Sequence, residues 1–83
     1  MRTLEHVIRE LNEINVEDKF IEVYHAIEPI ANDCDLCEGK NILFYQDTNY
    51  GYKYQIQIDY ETIILVKIID GKLKAILIPE QNK

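Results

Sequence analysis

Residues 63–78 form the most apolar stretch of the chain, and apolar residues occupy both its odd-numbered and its even-numbered positions. The stretch reads IILVKII, then Asp70-Gly71, then KLKAILI. Successive side chains of a β-strand point to opposite faces, so a strand with one face in water alternates apolar and polar residues. These two runs do not alternate, and Asp-Gly is a preferred sequence for a two-residue type I′ turn. The pattern predicts a β-hairpin that is apolar on both faces.

A two-residue turn fixes which hairpin residues lie opposite each other. Ile69 then pairs with Lys72, and Lys67 pairs with Lys74. Like charges directly opposite each other are destabilising, so we assign the face with both lysines to the outside or to an interface. A chain of 83 residues is too short to cover both sides of this ribbon. We therefore predict self-association through that second face, which consists of Ile63, Leu65, Lys67, Ile69, Lys74, Ile76 and Ile78.

Two further strands are predicted before the hairpin. Residues 42–45 are apolar or aromatic, and residues 52–60 alternate between tyrosine or isoleucine and a polar residue. The turn-forming residues 47–51 lie between them. A tight turn at Tyr60-Glu61 places Ile58 beside Ile63, so we expect the aromatic stripe of residues 52–60 to continue the face that carries Lys67.

The N-terminal part shows helical spacing instead. Thr3 is expected to cap a first helix, whose apolar positions recur from Leu4 to Ile14. Asn15 is expected to cap a second helix, which should end or kink at Glu28 because Pro29 disfavours helical geometry in the residue before it. The turn formers that follow predict a loop, with a short helix beginning near Pro29 as the alternative.

The predicted fold is of the α+β class, with two N-terminal antiparallel helices packed on one face of a three- to four-stranded antiparallel β-meander. We expect a single domain over residues 1–83. It divides into an acidic αα unit (1–28), a loop with the CxxC (29–41), the meander (42–78) and a tail (79–83). Two helices can cover only one face of such a sheet, which again predicts an exposed face.

The net charge of −6 is unevenly distributed along the chain. Residues 1–38 hold ten acidic and three basic side chains, a net of −7, whereas residues 39–83 hold five acidic and six basic side chains, a net of +1. An acidic field repels nucleic acid and anionic membranes and attracts basic proteins. We expect a basic protein partner, with Glu10, Glu13 and Glu17 among its contacts, and neither nucleic acid nor membrane as partner. No stretch has the ~20 apolar residues of a membrane span, and no secretory signal is recognisable, so we expect a cytoplasmic protein.

Tyrosine is concentrated in the middle of the chain. Tyrosine is enriched at binding hot spots, but it also fits half-buried strands without any binding role. We keep both interpretations, and the candidate partner-contacting residues are Tyr45, Tyr50, Tyr52, Tyr54 and Tyr60.

Cys34 and Cys37 form the chain's one CxxC, a spacing that supplies two of the four ligands of a structural zinc site. His6 and His25, or a second subunit, would have to complete that site. A redox role needs the CxxC at the start of a helix after a strand, whereas a helix precedes it here. Two ordinary thiols or a loop disulfide are the alternative, so we expect no cofactor and keep zinc as a second hypothesis.

No motif in the chain identifies a reaction, and the absence of serine excludes a Ser-His-Asp hydrolase. We hypothesise a small, acidic, non-enzymatic interaction module that self-associates and inhibits or regulates another protein, like the small acidic proteins of mobile elements. A zinc-stabilised binding module is one alternative. The order of helices before a tyrosine-bearing hairpin also resembles, in outline, the RelE/ParE-like ribonuclease toxins, which implies RNA cleavage; such toxins are basic, however, and this chain is acidic.

Overall fold

The structure, a computed structural model, describes residues 1–46 and 51–78. Two α-helices come first, followed by a short 3₁₀ helix at Asp35–Cys37 and then by four strands. The elements are α1 (Leu4–Leu11), α2 (Phe20–Ala31), β1 (Leu43–Gln46), β2 (Tyr54–Gln57), β3 (Ile63–Ile69) and β4 (Lys72–Ile78). The four strands form one antiparallel sheet in the order β1-β2-β3-β4, which confirms the α+β meander.

The boundaries of α2 differ from both predictions made for them. Thr3 caps α1 as expected, since its side chain accepts a hydrogen bond from the backbone N–H of His6. Asn15 does not cap α2; its backbone forms a bridge with Lys72, and α2 begins at Phe20. The helix also continues through Pro29 to Ala31. Ala31 is fully buried, so packing of the last turn offsets the hydrogen bond that proline cannot donate.

The hairpin of β3 and β4 has the predicted register. Ile69 pairs with Lys72, and Lys67 pairs with Lys74. Asp70 and Gly71 have φ angles of 52° and 78°, and a type I′ turn needs positive φ at both of its central residues.

The predicted register between β2 and β3 is wrong by one residue. The Asp59 carboxylate accepts hydrogen bonds from the backbone N–H groups of Glu61 and Thr62, at 2.9 and 2.8 Å, and Ile58 N–H donates to the Thr62 carbonyl. The loop therefore contains three residues, 59–61, instead of two. A shift of one residue moves every side chain of a strand to the other face. Ile56 consequently pairs with Ile64, and the stripe of β2 faces the helices instead of continuing the Lys67 face.

The core lies on one side of the sheet. Its buried cluster combines residues of both helices, among them Val7, Leu11, Val23 and Ile27, with one set of alternate strand residues. In β2, β3 and β4 those strand residues are Tyr54, Ile56, Ile64, Val66, Leu73 and Ala75. No residue from the other side of the sheet belongs to this cluster, so across residues 1–46 and 51–78 the helices cover one face only.

The free edge of β4 is closed by the segment that links the two helices. The Asn12 side chain accepts a hydrogen bond from Ala75 N–H at 2.9 Å and donates one to the Ala75 carbonyl at 3.1 Å. Leu73 N–H donates to the Ile14 carbonyl, and Val16 N–H donates to the Gly71 carbonyl. The linker therefore takes the place of a fifth strand along this edge.

Candidate interaction surface

The sheet face that points away from the helices is called the outer face below. Strand alternation and the observed pairing place its side chains in four rows across the strands. The first row is Leu43, Gln57, Ile63 and Ile78, and the second is Tyr45, Gln55, Leu65 and Ile76. The third is Lys67 with Lys74, and the fourth is Ile69 with Lys72. All seven residues predicted for self-association lie on this face, although self-association itself stays a prediction.

Three apolar side chains of the outer face are exposed: Leu43 by 54%, Ile69 by 48% and Tyr45 by 45%. Ile63, Ile76 and Ile78 are half-buried. Leu65 is only 2% exposed although it does not belong to the core cluster, so substitution of Leu65 will affect folding as well as any assembly.

The third and fourth rows carry the positive charge of the outer face. Lysine ion pairs in the described ranges involve Lys19 and Lys53, so Lys67, Lys72 and Lys74 have no carboxylate partner there. The ammonium group of Lys67 lies 4.5 Å from the centre of the Tyr52 ring, a cation–π contact that leaves its charge uncompensated. No strand position of the four rows holds an acidic residue. The outer face is therefore basic in a chain whose net charge is −6.

The five tyrosines predicted to contact a partner do not form one stripe. Tyr54 is fully buried in the core, where its hydroxyl donates to Asp18 Oδ1 at 2.7 Å and burial raises its pKa to about 12. Tyr45 is on the outer face, Tyr60 is fully exposed in the β2–β3 loop, and Tyr52 lies against Lys67. Tyr50 lies outside the described residues. We therefore remove Tyr54 from the candidate surface, and Tyr45 is the one that shares the outer face with the apolar rows.

The three candidate glutamates of the acidic N-terminal part differ in how accessible they are to a partner. Arg2 Nε donates to Glu10 at 2.6 Å, and His6 Nε2 lies 2.9 Å from the same carboxylate, so Glu10 is engaged within the chain. The hydrogen bond from Arg2 lowers the pKa of Glu10. Glu13 is exposed, and Glu17, 3.6 Å from Lys19, keeps 68% of its side chain exposed. Glu13 and Glu17 are the two that a partner can reach.

Leu43 and Glu61 were not among the predicted contact residues. Leu43 belongs to the first apolar row and also lines a shallow groove with Leu36 and Tyr60. The exposed Glu61 lines the same groove. Continuing the alternation from the first strand would have found Leu43, but the position of Glu61 depends on the loop length that the sequence prediction missed.

The CxxC thiols are buried instead of lying in an open loop. Cys34 and Cys37 are 2% and 3% exposed, and both are free thiols. Cys37 Sγ donates to the Ala31 carbonyl at 3.4 Å. Burial raises the pKa of both thiols, which weakens them as metal ligands and nucleophiles. The part of the chain that the structure describes contains no cluster of three or more side chains able to hold a metal ion.

None of the helices in residues 1–46 and 51–78 has the length and apolar character needed to cross a membrane. Comparisons with models of protein families, with curated proteins and with solved structures gave no match, so the interpretation below depends on the geometry of the chain itself.

Proposed function

We propose that this protein is a non-enzymatic interaction module that self-associates through its outer face and regulates or inhibits a basic protein through its acidic helical side. The observation that carries this proposal is the sheet itself: both helices pack on one face, and the apolar rows of the other face include the exposed Leu43 and Tyr45. Exposed apolar surface of this kind marks interaction sites in monomeric proteins.

The first two rows of the outer face supply the apolar centre of the proposed contact. They hold six apolar side chains and two glutamines, and no charged residue lies between them. Interface centres are depleted of charge and enriched in aromatic and aliphatic residues, while charges lie at the rim. The lysines of the third and fourth rows border the apolar rows at one end, where charged rim residues are expected.

The exposed glutamates suit a different contact because they do not belong to the apolar rows. Glu13 and Glu17 lie in the linker between α1 and α2, beside the free edge of β4, and both are exposed. Negative potential at these residues steers basic proteins toward them. Such a contact suits an inhibitor that occupies the basic site of its target.

Sedimentation at micromolar concentration tests the self-association. We expect the wild-type chain to sediment with at least twice the mass of one chain, and Ile76→Lys, in the second row, to sediment as a monomer. Ile21→Lys is the matched control, because Ile21 is 54% exposed on α2 and the substitution is the same. A wild-type protein that sediments as one chain would contradict the proposal.

Affinity capture from the native host tests the contact on the acidic side. The wild-type protein should retain a basic protein that Glu13→Lys releases. Glu38→Lys changes the net charge equally at an exposed position outside the linker that holds Glu13, so it should retain the partner. Equal loss by both variants would show that overall charge is what matters and would remove Glu13 from the proposed contact.

A further inference from the structure

The residues at the two ends of the outer face differ in charge: lysines lie in its third and fourth rows, and acids lie in the loop beyond its first row. Lys67 and Lys74 form the third row, beyond the two apolar rows. The β2–β3 loop, with Asp59 and Glu61, borders the first row at the opposite end. Glu61 is exposed and has no ion pair within the described part of the chain. Hydrogen bonds from the backbone N–H groups of Glu61 and Thr62 lower the pKa of Asp59, which keeps its carboxylate ionised.

The charged ends lie on opposite sides of the middle of the apolar rows. Glu61, in the β2–β3 loop, lies three residues before Ile64, and Lys67, in β3, lies three residues after it. At about 3.3 Å per residue in an extended strand, Lys67 is about 10 Å from Ile64, and Glu61 lies at most about as far on the other side. A half-turn about an axis that lies in the outer face, crosses the strands and passes over Ile64 therefore exchanges the acidic end with the lysine end.

We propose that the occupant of the outer face is a second copy of this chain, with its strands antiparallel to the first and with Lys67 of each copy facing Glu61 of the other. This inference rests on the proposed self-association and adds the orientation of the two copies. The half-turn places the first row of one copy over the second row of the other, so Ile63 meets Leu65 and Ile78 meets Ile76. It also places Leu43 over Tyr45 and Gln57 over Gln55, so the polar positions meet each other.

The other two-fold arrangement of the same faces is electrostatically unfavourable. An axis along the strands superposes equal rows, so the Lys67–Lys74 row would lie against itself and the loop acids would lie against each other. Like charges brought together in an interface disfavour that arrangement strongly. The proposed arrangement also gives Lys67 a carboxylate partner, which it lacks within the described part of one chain.

A charge exchange tests the orientation. We would measure the dimer dissociation constant at low salt for the wild type, Lys67→Glu, Glu61→Lys and the double variant. Each single variant should weaken dimerisation at least tenfold, and the double variant should return to within about threefold of the wild type, because it restores both pairs with reversed sign. Lys19→Glu, which changes the net charge as Lys67→Glu does but on the helical side, should leave the dissociation constant unchanged.

These variants are designed to fold. Lys67→Glu places a carboxylate opposite Lys74 and removes the like-charge pair, and Glu61 is exposed in a loop. If the wild type dimerises but the double variant is no better than the single variants, the orientation is wrong while the proposed function stands. A monomeric wild type overturns both proposals.

Discussion

Replacing Asn12 by alanine should destabilise the fold more than any other substitution of an uncharged polar side chain in the helix linker. Its amide makes three hydrogen bonds: it donates to the carbonyls of Ile8 and Ala75, at 2.9 and 3.1 Å, and accepts from Ala75 N–H at 2.9 Å. Ala75 is 4% exposed, so the two backbone groups released by the substitution have little access to water. An unsatisfied buried backbone group costs about 1–3 kcal/mol, and we expect a total loss of about 2–3 kcal/mol.

Urea unfolding followed by circular dichroism measures that loss directly, and amide hydrogen exchange identifies its source. The Ala75 N–H should be protected in the wild type and exchange much faster in Asn12→Ala. Asn12→Asp should be at least as destabilising, because the carboxylate keeps the acceptor, loses the donor and faces two carbonyl oxygens. Asn15→Ala is the control: Asn15 is exposed and contacts Lys72 through its backbone, so its effect should stay within about 0.5 kcal/mol. A loss below about 0.5 kcal/mol for Asn12→Ala would refute the view that its side chain closes the β4 edge.

Three further substitutions test other parts of the structure. The pKa of Tyr54 rises from its ordinary value of 10.0 to about 12 on folding, so its contribution to stability is complete below pH 10 and is lost as the pH rises through 12. Urea unfolding between these pH values should show a larger decline in the wild type than in Tyr54→Phe, in which Tyr24, whose pKa the neighbouring Glu28 also raises, still titrates. Gly71→Ala should cost about 1 kcal/mol in the same assay, because Gly71 has a φ of +78°. Asp59→Ala should release the two N–H groups that its carboxylate holds, and amide exchange should show faster opening at Glu61 and Thr62 with β4 unaffected.

The hairpin could be predicted in full because one local signal determines it. Asp70-Gly71 favours a two-residue turn, and that turn length alone sets every pair from Ile69–Lys72 onward. The same alternation then divides the side chains between core and outer face, so the sequence alone predicts which hairpin residues point away from the helices.

The β2–β3 register could not be predicted, because it depends on a loop whose length is decided by one side chain. A two-residue turn at Tyr60-Glu61 and the observed three-residue loop differ by a single residue. The hydrogen bonds of Asp59 to two successive N–H groups stabilise the longer loop. That difference moved Tyr54 from the predicted surface into the core and brought Glu61 to the end of the outer face.

The start of α2 was misplaced for a related reason. Asn15 is a good capping residue, but its backbone and that of its neighbours form hydrogen bonds with the β4 edge. A contact between segments more than fifty residues apart outweighs the local preference for a cap. The spacing of residues along the sequence does not predict such a contact.

Because Cys34 and Cys37 are buried, their reaction with an external reagent reports partial opening of the native chain. Their raised pKa and their 2% and 3% exposure protect both sulfurs from alkylating reagents while the fold is closed. Arg2 forms backbone hydrogen bonds with Asp33 and Asp35 on either side of Cys34, so the N-terminus is held directly beside the first thiol. The rate at which a reagent modifies the two thiols in unlabelled wild-type protein therefore measures how often this region opens, with no engineered probe.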